Sequence, residues 1–219
     1  MKSLSTLLFL VLLVLLSCGS DDQVEVIDGK NEVEPPASHE SGDFSILFVG
    51  NSLTYSNSLP QLVVERAKEA NDLVINAHTI AYGNYAIIDH WNDGNVQKEI
   101  ASGQYDYVII QQGPSSQAFG RQVLIEYGSK FKELCESHNT ELVYYMVWPS
   151  RQYYHTFDGV IKNHEDAATM NNALLAPVGQ VWKRHFDITQ DFSYYGSDGF
   201  HPSLKGSQVA AEVIVNTLF

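Results

Sequence analysis

The sequence predicts an α/β domain with a parallel sheet and helices on both of its faces. Short apolar runs suited to buried strands recur over residues 44–219, and segments with apolar residues at helical spacing separate them. Such alternation is typical of β–α–β units, whose strands pair in parallel. About 175 residues follow the N-terminal region, enough for one domain with a proper core.

The predicted elements follow from these two patterns. Apolar runs predict strands at 44–49, 74–80, 107–110, 141–147 and 174–178. Helical spacing predicts helices at 59–70, 96–101, 122–137, 163–172, 180–185 and 203–218. The first helix carries Pro60 in its first turn, a favourable position for proline. Functional residues are expected just after the strands, at the carboxyl edge of the sheet.

The N-terminus predicts export. Residues 1–17 combine the basic Lys2 with an apolar run at 7–16, which is too short to span a bilayer and is typical of a signal peptide. The sequence LLSC at 15–18 resembles the lipobox of bacterial lipoproteins, in which the cysteine is acylated, here Cys18. We therefore expect an exported, membrane-anchored bacterial lipoprotein facing the periplasm or lying at the cell surface. The alternative is an ordinary signal peptide with an incidental cysteine.

Residues 18–43 form a predicted acidic tether. Eight acidic residues stand there against one lysine, and Pro35-Pro36 adds to a composition that cannot build a core. Beyond Asp43 the domain has 18 acidic and 11 basic residues, a net charge of −7. No basic patch is available for phosphates, so nucleic acid is not an expected partner.

The sequence predicts neither a metal nor a cofactor. It has no HExxH motif, no glycine-rich phosphate loop and no Cys/His spacing typical of zinc sites. With Cys18 acylated, Cys135 has no cysteine to pair with and is expected to be a small buried apolar residue.

Ser52 is the candidate nucleophile. It lies in GNSLT at 50–54, directly after the first predicted strand. A serine hydroxyl needs a neighbouring base to take its proton, and a turn after a strand exposes it. Taken alone, Ser52 is better explained as an ordinary turn residue.

Asp198 and His201 are the candidate acid and base. They lie in DGFHP at 198–202, immediately before the last predicted helix. An aspartate three residues before a histidine can accept a hydrogen bond from one ring nitrogen and leave the other free as a base. Gly199 permits the tight turn that this requires. The alternative is a pair of polar residues at a helix start.

Together, GNSLT at 50–54 and DGFHP at 198–202 resemble the SGNH hydrolases, also called GDSL esterases or lipases. LFVGNSLTYSNSLPQLV at 47–63 and APVGQVW at 176–182 resemble a bacterial subgroup with GNSxT openings. The resemblance covers the chain from about residue 44 onward. It implies a three-layer α/β/α sandwich (SGNH/flavodoxin-like) with a central parallel sheet of about five strands. It also implies a catalytic triad of Ser52, Asp198 and His201.

The resemblance further implies an oxyanion hole. Its donors would be the backbone amides of Ser52 and Gly83, together with an asparagine side chain after the third strand. The segment VIIQQGPSS at 108–116 lacks that asparagine. A glutamine can donate the same hydrogen bond, so Gln111 or Gln112 is expected in its place.

Other residues are weaker candidates. Trp148 and Arg151, His90-Trp91, the aromatic cluster at 153–155 and Tyr194-Tyr195 could shape a substrate cleft or could simply pack. The expected activity is hydrolysis of carboxylic esters, above all acetyl groups on carbohydrates. The alternatives are a lipase or lysophospholipase on longer acyl chains, and an inactive glycan-binding surface lipoprotein.

Overall fold

The computed structural model of the protein describes residues 42–219. The predicted signal peptide 1–17, Cys18 and the tether up to residue 41 lie outside the described residues. Within the described part, no helix has the length and hydropathy needed to cross a membrane.

The centre of the domain is a sheet of five parallel strands. They are β1 Phe44–Gly50, β2 Ile75–Ala81, β3 Tyr107–Ile110, β4 Glu141–Tyr145 and β5 Leu174–Ala176, and they lie side by side in the order β2-β1-β3-β4-β5. All four pairings are parallel. The predicted α/β class and the predicted number of strands are thereby confirmed.

Helices connect the strands. They are α1 Ser52–Tyr55, α2 Leu59–Asn71, α3 Ile87–Asp93, α4 Asn95–Ser102, α5 Ala118–Ser137, α6 Phe157–Met170, α7 Val178–Thr189 and α8 Leu204–Leu218, with 3₁₀ turns at Ser56–Ser58 and Arg151–Thr156. Several boundaries correct the sequence-based expectation: α5 begins at Ala118 and not at 122, α7 spans Val178–Thr189 and not 180–185, and β5 ends at Ala176 and not at 178. The predicted helix 163–172 begins six residues earlier, at Phe157. The predicted strand 141–147 ends at Tyr145, where its ladder with β5 ends.

Two apolar cores, one on each face of the sheet, make the domain a three-layer sandwich. Successive side chains of a strand point to opposite faces. Accordingly, Ile46 and Phe48 pack with residues of α2, α7 and α8. Leu47 and Val49 pack with residues of α3, α4 and α5 on the other face. Because both faces are covered, β1, β3 and β4 are nearly continuous apolar runs. The edge strand β2 is less buried and carries polar residues.

The topology places the candidate site. The strand order reverses at β1, which has β2 on one side and β3 on the other. In parallel sheets the crevice at the carboxyl ends of strands next to such a switch point is the usual ligand site. The segments that follow β2, β1 and β3 carry Gly83, Ser52 and Gln111, respectively.

Candidate active site

Ser52 lies directly after β1 and is the first residue of α1. The preceding residue, Asn51, caps this helix: its side-chain oxygen accepts a hydrogen bond from the Leu53 amide at 3.1 Å. The backbone N–H of a first helical residue has no partner inside its helix. Within residues 42–219 the Ser52 N–H donates to no other group either, so it is free to bind a ligand.

A buried glutamine supports this turn from beneath. The side-chain oxygen of Gln111 accepts hydrogen bonds from the Asn51 amide and from the Thr54 hydroxyl, each at 2.9 Å. Gly50 is required here, because a Cβ at this position would lie 2.2 Å from Thr54 Oγ1 and 2.6 Å from Gln111 Oε1. Gln111 is fully buried. The turn is thus tied to the end of β3, the neighbouring strand.

A buried histidine holds the same turn from the other side. His90, on α3, lies with Nε2 2.8 Å from the Gly50 carbonyl oxygen. Since a carbonyl oxygen can only accept, Nε2 carries the proton. Burial lowers the pKa of His90 below its ordinary value, so the ring is neutral at neutral pH. The Tyr82 amide donates to the same carbonyl at 3.1 Å, which ties the end of β2 to the end of β1.

Asp198 and His201 lie on the loop before α8. The Asp198 Oδ1 atom accepts hydrogen bonds from the amides of Phe200 and His201, each at 2.9 Å, and its Oδ2 accepts from His201 Nδ1 at 2.6 Å. The hydrogen bond with the His201 side chain is the main cause that lowers the pKa of Asp198. Gly199 has φ +68°, a left-handed conformation that glycine adopts without strain.

The two segments meet at the end of the sheet. His201 Nε2 lies 2.9 Å from Ser52 Oγ, across a sequence separation of 149 residues. The Asp198 carboxylate can only accept a hydrogen bond, so Nδ1 of His201 carries the ring proton and Nε2 accepts from the Ser52 hydroxyl. The structure therefore brings all three predicted triad residues into one hydrogen-bonded chain.

Two residues after β4, the buried Trp148 and the exposed Arg151, anchor the acid–base loop to the domain. The indole N–H of Trp148 donates to the Phe200 carbonyl at 2.9 Å, and the Arg151 amide donates to the Gly199 carbonyl at 2.8 Å. Trp148 is fully buried and stacks on Trp182 at 3.5 Å between ring centroids. Trp148 is thus part of the apolar core, and its indole N–H supports the loop.

Asn57 links the two halves of the site, and the sequence analysis missed it. Its side-chain nitrogen donates to the Pro202 carbonyl and to the Ser207 hydroxyl, each at 2.9 Å. Asn57 has φ +54° and Ser58 φ +56°, a left-handed pair that forms the exit from α1. Asparagine tolerates this conformation better than most residues. The segment at 55–58, Tyr-Ser-Asn-Ser, is rich in turn-forming residues, and this composition could have indicated the tight turn.

The candidate oxyanion donors have different surroundings. Gly83 lies exposed in the turn after β2, where a Cβ would come 3.5 Å from the Tyr55 hydroxyl, and within residues 42–219 its N–H makes no hydrogen bond. The side-chain nitrogen of Gln111 is buried without a partner. The side-chain oxygen of Gln112 accepts from the Ile87 amide at 2.9 Å. The oxyanion roles of all these groups stay predictions.

The remaining aromatic candidates divide into packed and exposed residues. Tyr194 and Tyr195 are buried, and the Tyr195 hydroxyl donates to the Pro149 carbonyl at 2.7 Å. Trp91 packs edge-on against Phe131, with ring centroids 5.1 Å apart. Tyr153 is exposed on the 3₁₀ turn after β4. Among residues 42–219 no group of three or more His, Cys, Asp and Glu residues could hold a metal ion.

Comparisons with known proteins place the fold. No protein-family model and no curated protein matches the sequence. Solved structures do match. A protein assigned as an SGNH hydrolase from Slackia heliotrinireducens aligns with TM-score 0.68 and 24% identity, over 80% of this chain and 99% of the other.

Two further solved structures have the same architecture. One is described as a GDSL-like lipase from Parabacteroides merdae, with TM-score 0.65, 16% identity and coverage of 82% of this chain and 97% of its own. Another is a variant of an acetylxylan esterase from Geobacillus stearothermophilus, with TM-score 0.61, 15% identity and coverage of 82% and 95%. The protein thus has the fold of the SGNH and GDSL-type hydrolases, as the terminal motifs indicated.

Proposed function

We propose that this protein is a serine esterase that hydrolyses carboxylic esters through an acyl-enzyme. The observation that carries the proposal is the hydrogen-bonded chain from Asp198 through His201 to Ser52, with distances of 2.6 and 2.9 Å. A nucleophile, a base and a group that orients the base, each within hydrogen-bond reach of the next, are what acyl transfer requires.

In the proposed reaction, His201 Nε2 removes the proton from Ser52 as its oxygen attacks the ester carbonyl. Asp198 keeps the proton on Nδ1 and stabilises the imidazolium that forms. Its lowered pKa keeps it ionised at neutral pH. His201 then protonates the leaving alcohol, and a water molecule activated by the same base releases the acyl group.

The developing oxyanion needs fixed donors. The Ser52 and Gly83 amides are proposed for this role, since both N–H groups are unpaired within residues 42–219. Gln111 or Gln112 is the proposed third donor. Loss of one such donor costs about 10²–10³ in kcat.

The proposed substrates are small acyl esters, above all acetyl groups on carbohydrates. The similarity to a structure described as an acetylxylan esterase supports this choice. A lipase acting on longer acyl chains is the second candidate, and the similarity to a GDSL-like lipase favours it. The ratio of kcat/KM for 4-nitrophenyl acetate to that for 4-nitrophenyl decanoate separates the two, and a clear preference for decanoate would reject the acetyl proposal.

Covalent labelling with a fluorophosphonate probe tests the mechanism. We expect wild type to be labelled, Ser52→Ala to be unlabelled and its kcat to fall by up to about 10⁶-fold. Ser56→Ala is the matched control, because Ser56 follows in the same segment and no side-chain hydrogen bond is lost. Labelling that persists in Ser52→Ala would refute the assignment. An unlabelled wild type that still binds glycans would support the inactive glycan-binding alternative.

Export and anchoring through acylated Cys18 are also proposed, on the sequence LLSC at 15–18. Incorporation of a palmitate analogue into wild type and not into Cys18→Ala tests this part. Equal incorporation into both proteins would leave an ordinary signal peptide as the better explanation.

A further inference from the structure

A groove of about 330 Å³ opens beside the nucleophile turn. One wall is the turn after β2, with Asn84 and Tyr85. The other wall is the segment from the end of β3 to the start of α5, including Gln112 and Phe119, and Asn51 forms part of the floor. The groove borders the nucleophile turn through Asn51, the residue before Ser52, and through Asn84, the residue after Gly83.

The groove lining carries no formal charge. None of the residues that line it is Asp, Glu, Lys, Arg or His, although the domain as a whole is acidic. A charged ligand, such as a phospholipid headgroup, would find no counter-charge here to offset its desolvation. The lining therefore favours a neutral ligand.

The groove nevertheless offers several hydrogen-bonding groups. The Ile87 amide holds the side-chain oxygen of Gln112 at 2.9 Å, which orients its NH₂ group. The exposed amide of Asn84 makes no hydrogen bond within residues 42–219. Asn84 has φ +66°, a left-handed conformation that asparagine tolerates better than most residues. A ligand with several hydroxyl groups would use these amides, whereas an acyl chain would leave them unpaired.

The same groove presents one flat apolar surface. The Phe119 ring is 72% exposed and contacts no other aromatic ring among the described residues. It stands on the first turn of α5, at the edge of the groove. An exposed ring beside neutral amides can cover the apolar C–H face of a sugar while the amides bind its hydroxyl groups.

We propose that this groove binds a neutral sugar ring that carries the ester, with Phe119 against its C–H face and the Asn84 amide on its hydroxyl groups. The inference rests on the proposed esterase function and deepens it by assigning the specificity-determining residues. It also explains how a small acyl group could be cleaved selectively, since recognition lies on the alcohol side of the ester.

The test compares acetylated oligosaccharides with a simple activated acetate ester as substrates of the purified protein. The measured quantity is the ratio of kcat/KM for acetylated xylo-, manno- and gluco-oligosaccharides to kcat/KM for 4-nitrophenyl acetate. We expect Phe119→Ala to lower this ratio about fivefold to tenfold for the preferred oligosaccharide, through a higher KM. Asn84→Gly should lower it by a smaller factor, because glycine keeps the left-handed turn and removes only the amide.

Ile188→Ala is the control, because Ile188 is an equally exposed apolar residue, at 76%, on the distant α7. Unchanged ratios in Phe119→Ala and Asn84→Gly would overturn the sugar site, as would a wild type that cleaves 4-nitrophenyl acetate but none of the oligosaccharides. A loss confined to 4-nitrophenyl decanoate would show instead that the groove holds an acyl chain. Failure of the esterase proposal itself is distinct, since then 4-nitrophenyl acetate is not cleaved or is cleaved equally by Ser52→Ala.

Discussion

The nucleophile turn and the acid–base loop differ in how they are held. The turn around Ser52 is supported by two buried residues, Gln111 and His90. Gln111 is 60 residues away in sequence from the Asn51 amide that it binds, and His90 is 40 residues away from the Gly50 carbonyl that it binds. On the loop, the side chains of Asp198 and His201 are 51% and 41% exposed. Their closest supports come from within the loop itself.

The loop is held mainly by local hydrogen bonds. The Gly196 amide donates to the His201 carbonyl at 2.7 Å, and the Gly199 amide donates to the Gly196 carbonyl at 3.1 Å. The Asp198 carboxylate accepts two further hydrogen bonds, from the amides of Phe200 and His201. Such a loop can lose a side chain without leaving a buried group unpaired. The turn around Ser52 cannot lose Gln111 or His90 without leaving a buried group unpaired. We therefore expect substitutions of these supports to lower activity and stability together.

Among the variants that test this comparison, Asp198→Asn should cause the largest loss of activity. The asparagine NH₂ group in place of Oδ2 would favour the wrong tautomer of His201, a change that costs about 10⁴ in kcat in a Ser-His-Asp triad. Because the side chain is half exposed, the Tm should change little. Measurements of kcat with 4-nitrophenyl acetate and of Tm check both parts. A loss below tenfold, or a large fall in Tm, would contradict the description of the loop.

Gln111→Leu should lower both activity and stability. Two buried donors, the Asn51 amide and the Thr54 hydroxyl, would lose their acceptor, at about 1–3 kcal/mol each. The displaced turn should lower kcat by up to about 10²-fold. Thr54→Val is the matched control, since it removes one of the two donors and leaves Gln111 in place. A fall of 10²–10³ in kcat at unchanged Tm would show instead that Gln111 acts as an oxyanion donor.

Asn57→Gly tests the connection between the two regions. It removes both hydrogen bonds to the segment that follows His201 while keeping the left-handed backbone. We expect kcat to fall about tenfold, in line with two ordinary hydrogen bonds, and KM to change little because Asn57 only positions the base. Asn57→Ala should add a loss of Tm through backbone strain. Wild-type kcat in Asn57→Gly would show that the two regions do not need this link.

The smallest expected effect is on the dependence of folding stability on pH. The folded-state pKa of His90 is lowered by burial, so the unfolded chain binds more protons and stability is lost as the pH falls below about 6.5. Asp198 has the opposite charge type: its lowered pKa gives stability that is lost only at more acidic pH, as the carboxylate protonates. Urea unfolding at pH 7 and pH 5 should show a smaller difference in His90→Gln than in wild type. An equal difference would mean that other groups dominate this range.

His164 also contributes to the dependence of folding stability on pH. It is completely buried on α6, and burial lowers its pKa to about 4. It must therefore contribute to the loss of stability between about pH 6.5 and pH 4 in wild type and in His90→Gln alike. The comparison of the two proteins isolates the part that belongs to the nucleophile turn.

Local sequence pattern predicted most of the fold. The strands β1, β3 and β4 were visible as apolar runs because both faces of the sheet are covered there, whereas the edge strand β2 carries polar residues as well. The helix α3 was missed, since its buried positions are Ile87 and His90 and only one of them is apolar. The start of α6 was placed too late because Gly159 interrupts the pattern near its beginning. The buried residues Val160, His164, Ala167 and Ala168 show the spacing clearly only once the helix is known.

The sequence by itself determined what depends on neighbouring residues: the strands, most of the helices, and the Asp198–His201 pair, whose hydrogen bond spans three positions of one loop. Only the tertiary structure decided which distant groups hold Ser52 in place. Gln111 and Asn57 each make two hydrogen bonds, and His90 makes one, to backbone or hydroxyl groups elsewhere in the chain. Such contacts leave no periodic pattern in a sequence. They exist because the parallel sheet brings the carboxyl ends of β1, β2 and β3 to one edge, where buried polar groups must find partners.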